Sequence, residues 1–332
     1  MGYSEVKFPE NAKFLVTGGA GFIGSNLIEA LLARGCLVTC LDNFSTGKEE
    51  NLETFSGNPH FRLVRGDIRD YATCLELCRD AEIVFHEAAL GSVPRSIKDP
   101  IQTDEVNIGG FVKMLTAAKN GGVSRFIYAS SSSVYGDHPQ LPKREECIGK
   151  QLSPYAITKR VDELYAENFH ILYGIDCIGL RYFNVFGRRQ DPESTYAAVI
   201  PSFMQSLLEH KSPVINGDGS YSRDFTYIDN VIQANLLAAK TSNREALNTV
   251  YNVAFGEETD LNTLFFLLKT FLAEYDPEIS SVKAVHGPAR EGDIPHSLAD
   301  ISKARKLLGY DPEFDFEEGL RLAARWYAEN RK

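Results

Sequence analysis

Short apolar runs and longer amphipathic stretches alternate through the first 180 or so residues of the chain. "KFLVTG", residues 13–18, has the length and unbroken hydrophobicity of a buried strand. "GAGFIGSNLIEALLARG" follows, glycine-rich at first and then apolar with a helical period, and Gly35 is placed as a helix stop. "CLVTCLDN", "HFRLVRGD", "EIVFHEAA" and "RFIYASS" predict four more strands, with helices between them at "YATCLELCRD" and "IGGFVKMLTAAKNGG". A long helix beginning near Tyr155 leads into a sixth strand, "DCIGLRYFNVFG". Strands alternating with helices predict an α/β fold, a Rossmann-type doubly wound parallel sheet with helices on both faces.

The rhythm changes after Gly187. "RRQDPEST" is polar and turn-rich, and later segments no longer alternate cleanly. "SRDFTYIDNVIQANLLAAK" reads as a strand running into an apolar helix, a return to the first domain. "LNTLFFLLKTFLAEY" and "FEEGLRLAARWYAEN" predict amphipathic helices in the tail. The expected division is a Rossmann domain over 1–185 plus about 224–256. A smaller mixed α/β lobe would take about 186–223 plus 257–332.

Composition narrows the function classes. At 332 residues, 43% apolar and 24% charged, the chain has the balance of a soluble globular protein. A net charge of -10 argues against general affinity for nucleic acid or anionic membrane, while leaving room for a local basic pocket. No apolar run approaches the roughly 18 residues of a membrane span. The N-terminus lacks the shape of a signal peptide, and Val6 stands where a myristoylation site wants Ser or Thr. The expected location is the cytoplasm. The cysteines, Cys36, Cys40, Cys74, Cys78, Cys147 and Cys177, form no pair of pairs at zinc-site spacing, so free thiols and no metal site are expected.

The chemistry-bearing positions begin with "TGGAGFIG". Gly18, Gly21 and Gly24 stand between a strand and a helix, where glycine lets backbone amides approach a pyrophosphate. Phe22 and Ile23 open that helix. Asp42 ends the second strand, where a carboxylate would bind ribose hydroxyls and favour NAD over NADP. Asn43, Phe44, Ser45 and Gly47 follow it as candidate cofactor contacts, and Asp67 and Ile68 suit the two sides of an adenine. "HEAA", His86 to Ala89, puts small residues at a strand end, with Ala88 a cofactor contact; His86 itself reads as structural. In "SPYAITKR", Tyr155 stands four residues before Lys159 on one helix face. A phenol titrates at about 10 in water, and a neighbouring cation favours its ionised form. Alone, that spacing is common in amphipathic helices.

Together with "ASSSSVYG", these motifs stand in the order and spacing of the extended short-chain dehydrogenase/reductase superfamily, which the chain resembles over essentially its whole length. "LRYFNVFG", "RDFTYIDN" and "REGDIPHSLADISKARKLLGY" resemble its nucleotide-sugar branch, most closely the UDP-sugar 4-epimerases. Within that branch the chain is most similar to enzymes that interconvert UDP-N-acetylglucosamine and UDP-N-acetylgalactosamine.

The resemblance implies an NAD-binding first domain, a UDP-sugar-binding second lobe, and NAD held tightly and regenerated each turnover. Tyr155 would be the base, with Lys159 stabilising its phenolate and holding the nicotinamide ribose. Ser131 would bind the sugar 4-hydroxyl, with Ser132 left open by the run of four serines. Asn107 would support this group from behind, and Tyr182 and Val185 would lie near the nicotinamide. On the substrate side stand Asn184, Ser92, Val93, Asp293 and Ser297, with Arg223 and Arg290 gripping the diphosphate. Hydride would pass from C4 to NAD and back to the other face of a 4-keto sugar. The family also implies a homodimer packed through the Tyr155 helix and its neighbour, with no nucleic-acid or membrane partner.

Three positions depart from or specify the pattern. Ser132 and Ser133 replace the acidic pair that sugar 4,6-dehydratases carry, which disfavours water loss. Glu87 stands where glutamine is usual in the epimerases. Ser297 is small where a tyrosine can block N-acetyl groups, which favours acetamido sugars and a role in polysaccharide precursor supply. UDP-glucose and UDP-galactose, UDP-uronic acids, a dehydratase or net oxidoreductase, and an inactive NAD-binding scaffold remain as alternatives.

Overall fold

In the computed structural model, which describes residues 3–193, 197–288 and 295–330, seven parallel strands form one sheet. β1 (Lys13–Thr17), β2 (Leu37–Asp42), β3 (Phe61–Arg65), β4 (Ile83–His86), β5 (Arg125–Ser131) and β6 (Asp176–Tyr182) are joined by the later strand Thr249–Val253. Across the sheet the order is Thr249–Val253, β6, β5, β4, β1, β2, β3, every neighbouring pair parallel. The chain reverses its direction of travel between β1 and β4, so the loops leaving those strands part and open a crevice at their C-terminal ends. This is the Rossmann-type arrangement that the alternation predicts.

Side chains alternate along each strand and so divide between two cores. Phe14, Val16, Phe85, Ile127, Ile178 and Leu180 pack with Leu27 and Leu31 of the Phe22–Leu32 helix and with Val231 and Leu236 of the Ile228–Lys240 helix. Leu15, Val84, Phe126, Tyr128 and Cys177 face the opposite way. Above them lie Leu77 of Tyr71–Cys78, Met114 of Phe111–Gly121, and Phe169 of Pro154–Tyr173. All six cysteines are free and five are buried. Burial pushes the Cys74 and Cys78 thiols up to about 12, so both behave as apolar filling.

Beyond Tyr182 the chain builds outside the sheet. Helices Val199–Leu208, Leu261–Ala273 and Phe316–Glu329 pack on one another. The short strands Thr259–Asp260, Ser222–Arg223 and His296–Ser297 make a small separate sheet. Asp224 fastens it from a fully buried position, its carboxylate accepting the amides of Phe255, Gly256 and Ala299. Between these pieces the chain returns to the large sheet through Ile228–Lys240 and Thr249–Val253. No helix among the described residues is long and apolar enough to cross a membrane.

The Pro154–Tyr173 helix is tied to the sheet by charge. Ser153 caps its start by accepting the Ala156 amide, and Gly174 ends it in the left-handed region. One turn after Lys159, the buried Glu163 carboxylate accepts from Ser130 Oγ at 2.7 Å, from Arg160 at 2.9 Å and from Arg181 Nε at 2.7 Å. Arg181 is wholly buried, donates also to the Glu145 carbonyl, and lies 4.9 Å over the Tyr135 ring. Burial alone would raise the Glu163 carboxyl, but Arg181, Ser130 and Arg160 hold it below the usual carboxylate range. Replacing Arg181 with Leu should strand that charge and cost about 3–5 kcal/mol in urea unfolding. Replacing the half-exposed Arg160 with Ala should cost under about 1 kcal/mol.

Candidate active site

A cleft of about 420 Å³ opens at the C-terminal ends of β1, β4 and their neighbours. One end is built by the glycine loop. Gly18 adopts a φ of 68°, and a Cβ there would stand 2.7 Å from the Ala88 Cα, so this loop touches the turn after β4. At Gly24 a Cβ would stand 2.3 Å from the Gly18 carbonyl oxygen. Gly21 begins the helix with no side-chain cap, which leaves first-turn amides for a ligand. The buried Asp42 carboxylate accepts the Ala20 amide at 2.9 Å and the Phe44 amide at 2.7 Å. Burial raises its pKa, against the pull of those two amides.

Phe22, Ile23, Asn43, Ser45, Gly47, Ile68 and Ala88 also line this end. Phe44 and Asp67 do not. Phe44 lies under the Arg65 guanidinium at 4.4 Å and lines a separate hollow. Asp67 accepts from Asn43 at 2.8 Å and from Arg69, whose guanidinium holds its carboxyl well below the usual range. Asp67 thus bonds the lining residue Asn43 from between two further lining residues, Gly66 and Ile68.

At the other end Ser131, Tyr155, Lys159, Tyr182, Asn184 and Val185 line the cleft together. Tyr155 and Lys159 sit one turn apart near the start of their helix, as their spacing predicts. Lys159 Nζ donates to the Ala129 carbonyl at 2.9 Å and lies 3.3 Å from Asp162 Oδ2. Ser131 faces the cleft; Ser132, which opens the short 3-10 turn Ser132–Tyr135, is not among the lining residues. Asn107 is buried behind them in a π-helical turn. Its side chain accepts the Leu90 amide at 2.7 Å and donates to Thr158 Oγ1 at 3.1 Å, which joins the loop after β4 to the Tyr155 helix.

Glu87 lines the cleft between these ends. Its carboxylate accepts the Tyr182 hydroxyl at 2.9 Å, and that hydroxyl in turn accepts from Asn235 at 2.9 Å. Burial pushes the Glu87 carboxyl up to about 7, with Tyr182 and Lys159 drawing it back. His86 is a packing residue, stacked on Phe126 and bonded to Thr17 Oγ1 at 2.9 Å. Burial, with Lys159 nearby, holds its ring at about 3 and therefore neutral.

The substrate-side candidates are spread more widely. Gly91 lines the cleft, but the chain leaves it at Ser92 and Val93. The Ser92 hydroxyl accepts the Arg95 amide and starts a short helix. Arg223 and Ser297 pair side by side in the small sheet, outside the lining set. The Arg223 guanidinium donates to the Ser222 and Pro295 carbonyls. Arg290 and Asp293 lie outside the described residues. Lys48, Arg189 and Asp191 line the cleft without having been singled out in the sequence. Lys48 bonds Asp191 at 2.8 Å, bringing together loops 143 residues apart, and the only local signal for it is the polar run after Gly187.

A model of the NAD dependent epimerase/dehydratase family matches residues 14–254. The chain belongs to that family. Among solved structures it is similar to a UDP-N-acetylglucosamine 4-epimerase from Methanobrevibacter ruminantium, 41% identical with a TM-score of 0.90, over 96% of this chain and 99% of that one. A UDP-glucose 4-epimerase from Thermotoga maritima, with UDP-glucose, is 37% identical with a TM-score of 0.88, over 96% and 99%. A UDP-glucuronic acid 4-epimerase from Bacillus cereus, in complex with UDP-glucuronic acid and NAD, is 32% identical with a TM-score of 0.85, again over 96% and 99%.

The residues fit a dinucleotide of the kind the family uses. Backbone approaches that admit no Cβ, uncapped amides and a buried carboxylate suit a pyrophosphate and a ribose. In the Gly24→Ala variant the added methyl should displace the Gly18 carbonyl. Isothermal titration of the stripped protein with NAD should show affinity lower by roughly tenfold or more.

Proposed function

We propose that this protein interconverts UDP-N-acetylglucosamine and UDP-N-acetylgalactosamine by epimerisation at C4, with NAD held between turnovers. The reading rests above all on the meeting of Ser131, Tyr155 and Lys159 at one end of a cleft whose other end is the glycine loop. NAD bound there would supply a hydride acceptor and donor for C4. Gly18, Gly21, Gly24 and Asp42 would hold its pyrophosphate and adenosine ribose, and Lys159 its second ribose.

The protein's own groups do the rest. Tyr155 takes the proton of the 4-hydroxyl and returns it to the product, with Lys159 one turn further along the same helix. Ser131 Oγ, already accepting the Ser133 amide at 3.1 Å, keeps its own proton to donate to the sugar oxygen. Asn184, whose amide donates to the Asp224 carbonyl, stands at the sugar end. Serines at 132 and 133 offer no acid and base for water loss, which favours epimerisation over dehydration. The small Ser297 and the 41% identity to a UDP-N-acetylglucosamine 4-epimerase favour the acetamido pair.

We infer also that two copies pair through the Tyr155 helix. Ile157, Leu164 and Ile171 are exposed and spaced seven apart, which puts them on one stripe. Exposed Ile97 and Ile101 stand on the short helices packed beside it. A contiguous apolar face of this kind favours self-association.

Proton NMR of UDP-N-acetylglucosamine with protein and no added NAD should show UDP-N-acetylgalactosamine signals growing to equilibrium. The Tyr155→Phe variant should lose about 10²-fold or more in rate. Conversion of UDP-glucose or UDP-glucuronic acid alone would keep the chemistry and refute the acetamido pocket. By analytical ultracentrifugation the protein should sediment as a dimer, and Leu164→Lys with Ile171→Lys as a monomer.

A further inference from the structure

Two consecutive carboxylates on the Tyr155 helix have opposite circumstances. Glu163 is surrounded by donors from three elements. Asp162 is fully buried as well, yet among the described residues its only hydrogen-bond partner is Lys159 Nζ, at 3.3 Å from Oδ2. Its second oxygen, Oδ1, has no partner among the described residues. A buried ion pair with an unsatisfied oxygen contributes less to a fold than an apolar side chain of the same volume. Stability therefore does not account for a carboxylate here. What Asp162 does touch is the ammonium in the cleft.

We propose that Asp162 is the positioning residue for Lys159: with the Ala129 carbonyl it takes two of the three ammonium protons and directs the third into the cleft, and its charge moderates the field Lys159 exerts on Tyr155. The proposal rests on the epimerase reading above for its kinetic consequences and on geometry alone for the rest. An ammonium on a four-carbon stem has no fixed direction of its own. Two acceptors on the protein side, at 2.9 and 3.3 Å, supply one.

The charges around this pair are few. Glu163 on the same helix and Tyr128 on β5 face Asp162, and Glu87 and His86 at the end of β4 face Lys159. Burial raises the Asp162 carboxyl to about 7, with Lys159 pulling it down. As pH falls Asp162 is neutralised and the full ammonium charge of Lys159 acts toward the cleft. As pH rises the carboxylate opposes it. The charge that Lys159 presents to the cleft thus changes with the state of Asp162, and a rate that depends on that charge spreads its acid limb over a wider pH range.

Asp162→Asn keeps an acceptor for Lys159 and removes the charge; Asp162→Leu removes both. With Asp162→Asn the acid limb of kcat should steepen and move to lower pH, with NAD affinity unchanged. Its melting temperature should gain on the wild type as pH climbs from about 4 to about 7, because a carboxyl raised on folding costs the fold its ionised form over that window. Asp162→Leu should fold, and by calorimetric titration it should bind NAD roughly tenfold more weakly, the worth of one charge-assisted hydrogen bond. Superimposable pH profiles of wild type and Asp162→Asn, or equal NAD affinity in Asp162→Leu, would overturn the proposal. A wild type inert on every nucleotide sugar would overturn the epimerase reading instead, and the NAD titrations would still decide the role of Asp162.

Discussion

The end of the cleft lined by Ser131, Lys159 and Tyr182 depends on one buried carboxylate, that of Glu163. Its three partners are each the chain neighbour of a lining residue: Ser130 precedes Ser131, Arg160 follows Lys159, and Arg181 precedes Tyr182. One anion therefore fixes the spacing between a helix and two strands at the points where they contribute to the cleft. Such a group is costly to bury and earns its place only when fully partnered. Here it is, and its neighbours across the cleft cannot drift independently.

At the opposite end close backbone approach is added to the Asp42 carboxylate that accepts the Ala20 amide. Gly18 meets the Ala88 backbone and Gly24 meets the Gly18 carbonyl at distances that admit no side chain. Contacts of this sort cannot be adjusted by a rotamer, so the glycine loop and the turn after β4 form one rigid wall. The two ends thus use different physics for one purpose. Steric exclusion shapes the glycine-loop end, while electrostatics places Ser131, Lys159 and Tyr182 at the other.

Much of this was legible in the sequence because its signals are local. Strand length, helical period, the glycine spacing and the four-residue step from Tyr155 to Lys159 all lie within a single element. The sheet order and the cleft-facing position of Ser131 in place of Ser132 follow from them once the strands pair. What stayed hidden depends on separation. The bond from Lys48 to Asp191 and the relay from Asn235 through Tyr182 to Glu87 join residues with no common pattern. Asp67 and Phe44 are paired with Arg69 and Arg65, partners that no periodicity reports. Asp162 has the sequence signature of any polar helix residue; only burial and an oxygen with no partner among the described residues set it apart.

The strand Thr249–Val253 completes the edge of the sheet beside β6, although the chain has by then already made helix Val199–Leu208 of the outer lobe. During synthesis, then, β6 is made before its partner exists, and its outer edge waits for some seventy residues of intervening chain. An uncovered parallel edge invites pairing with other chains. The edge is therefore sealed only after helices Val199–Leu208 and Ile228–Lys240 have been made, so the large sheet is completed late in synthesis.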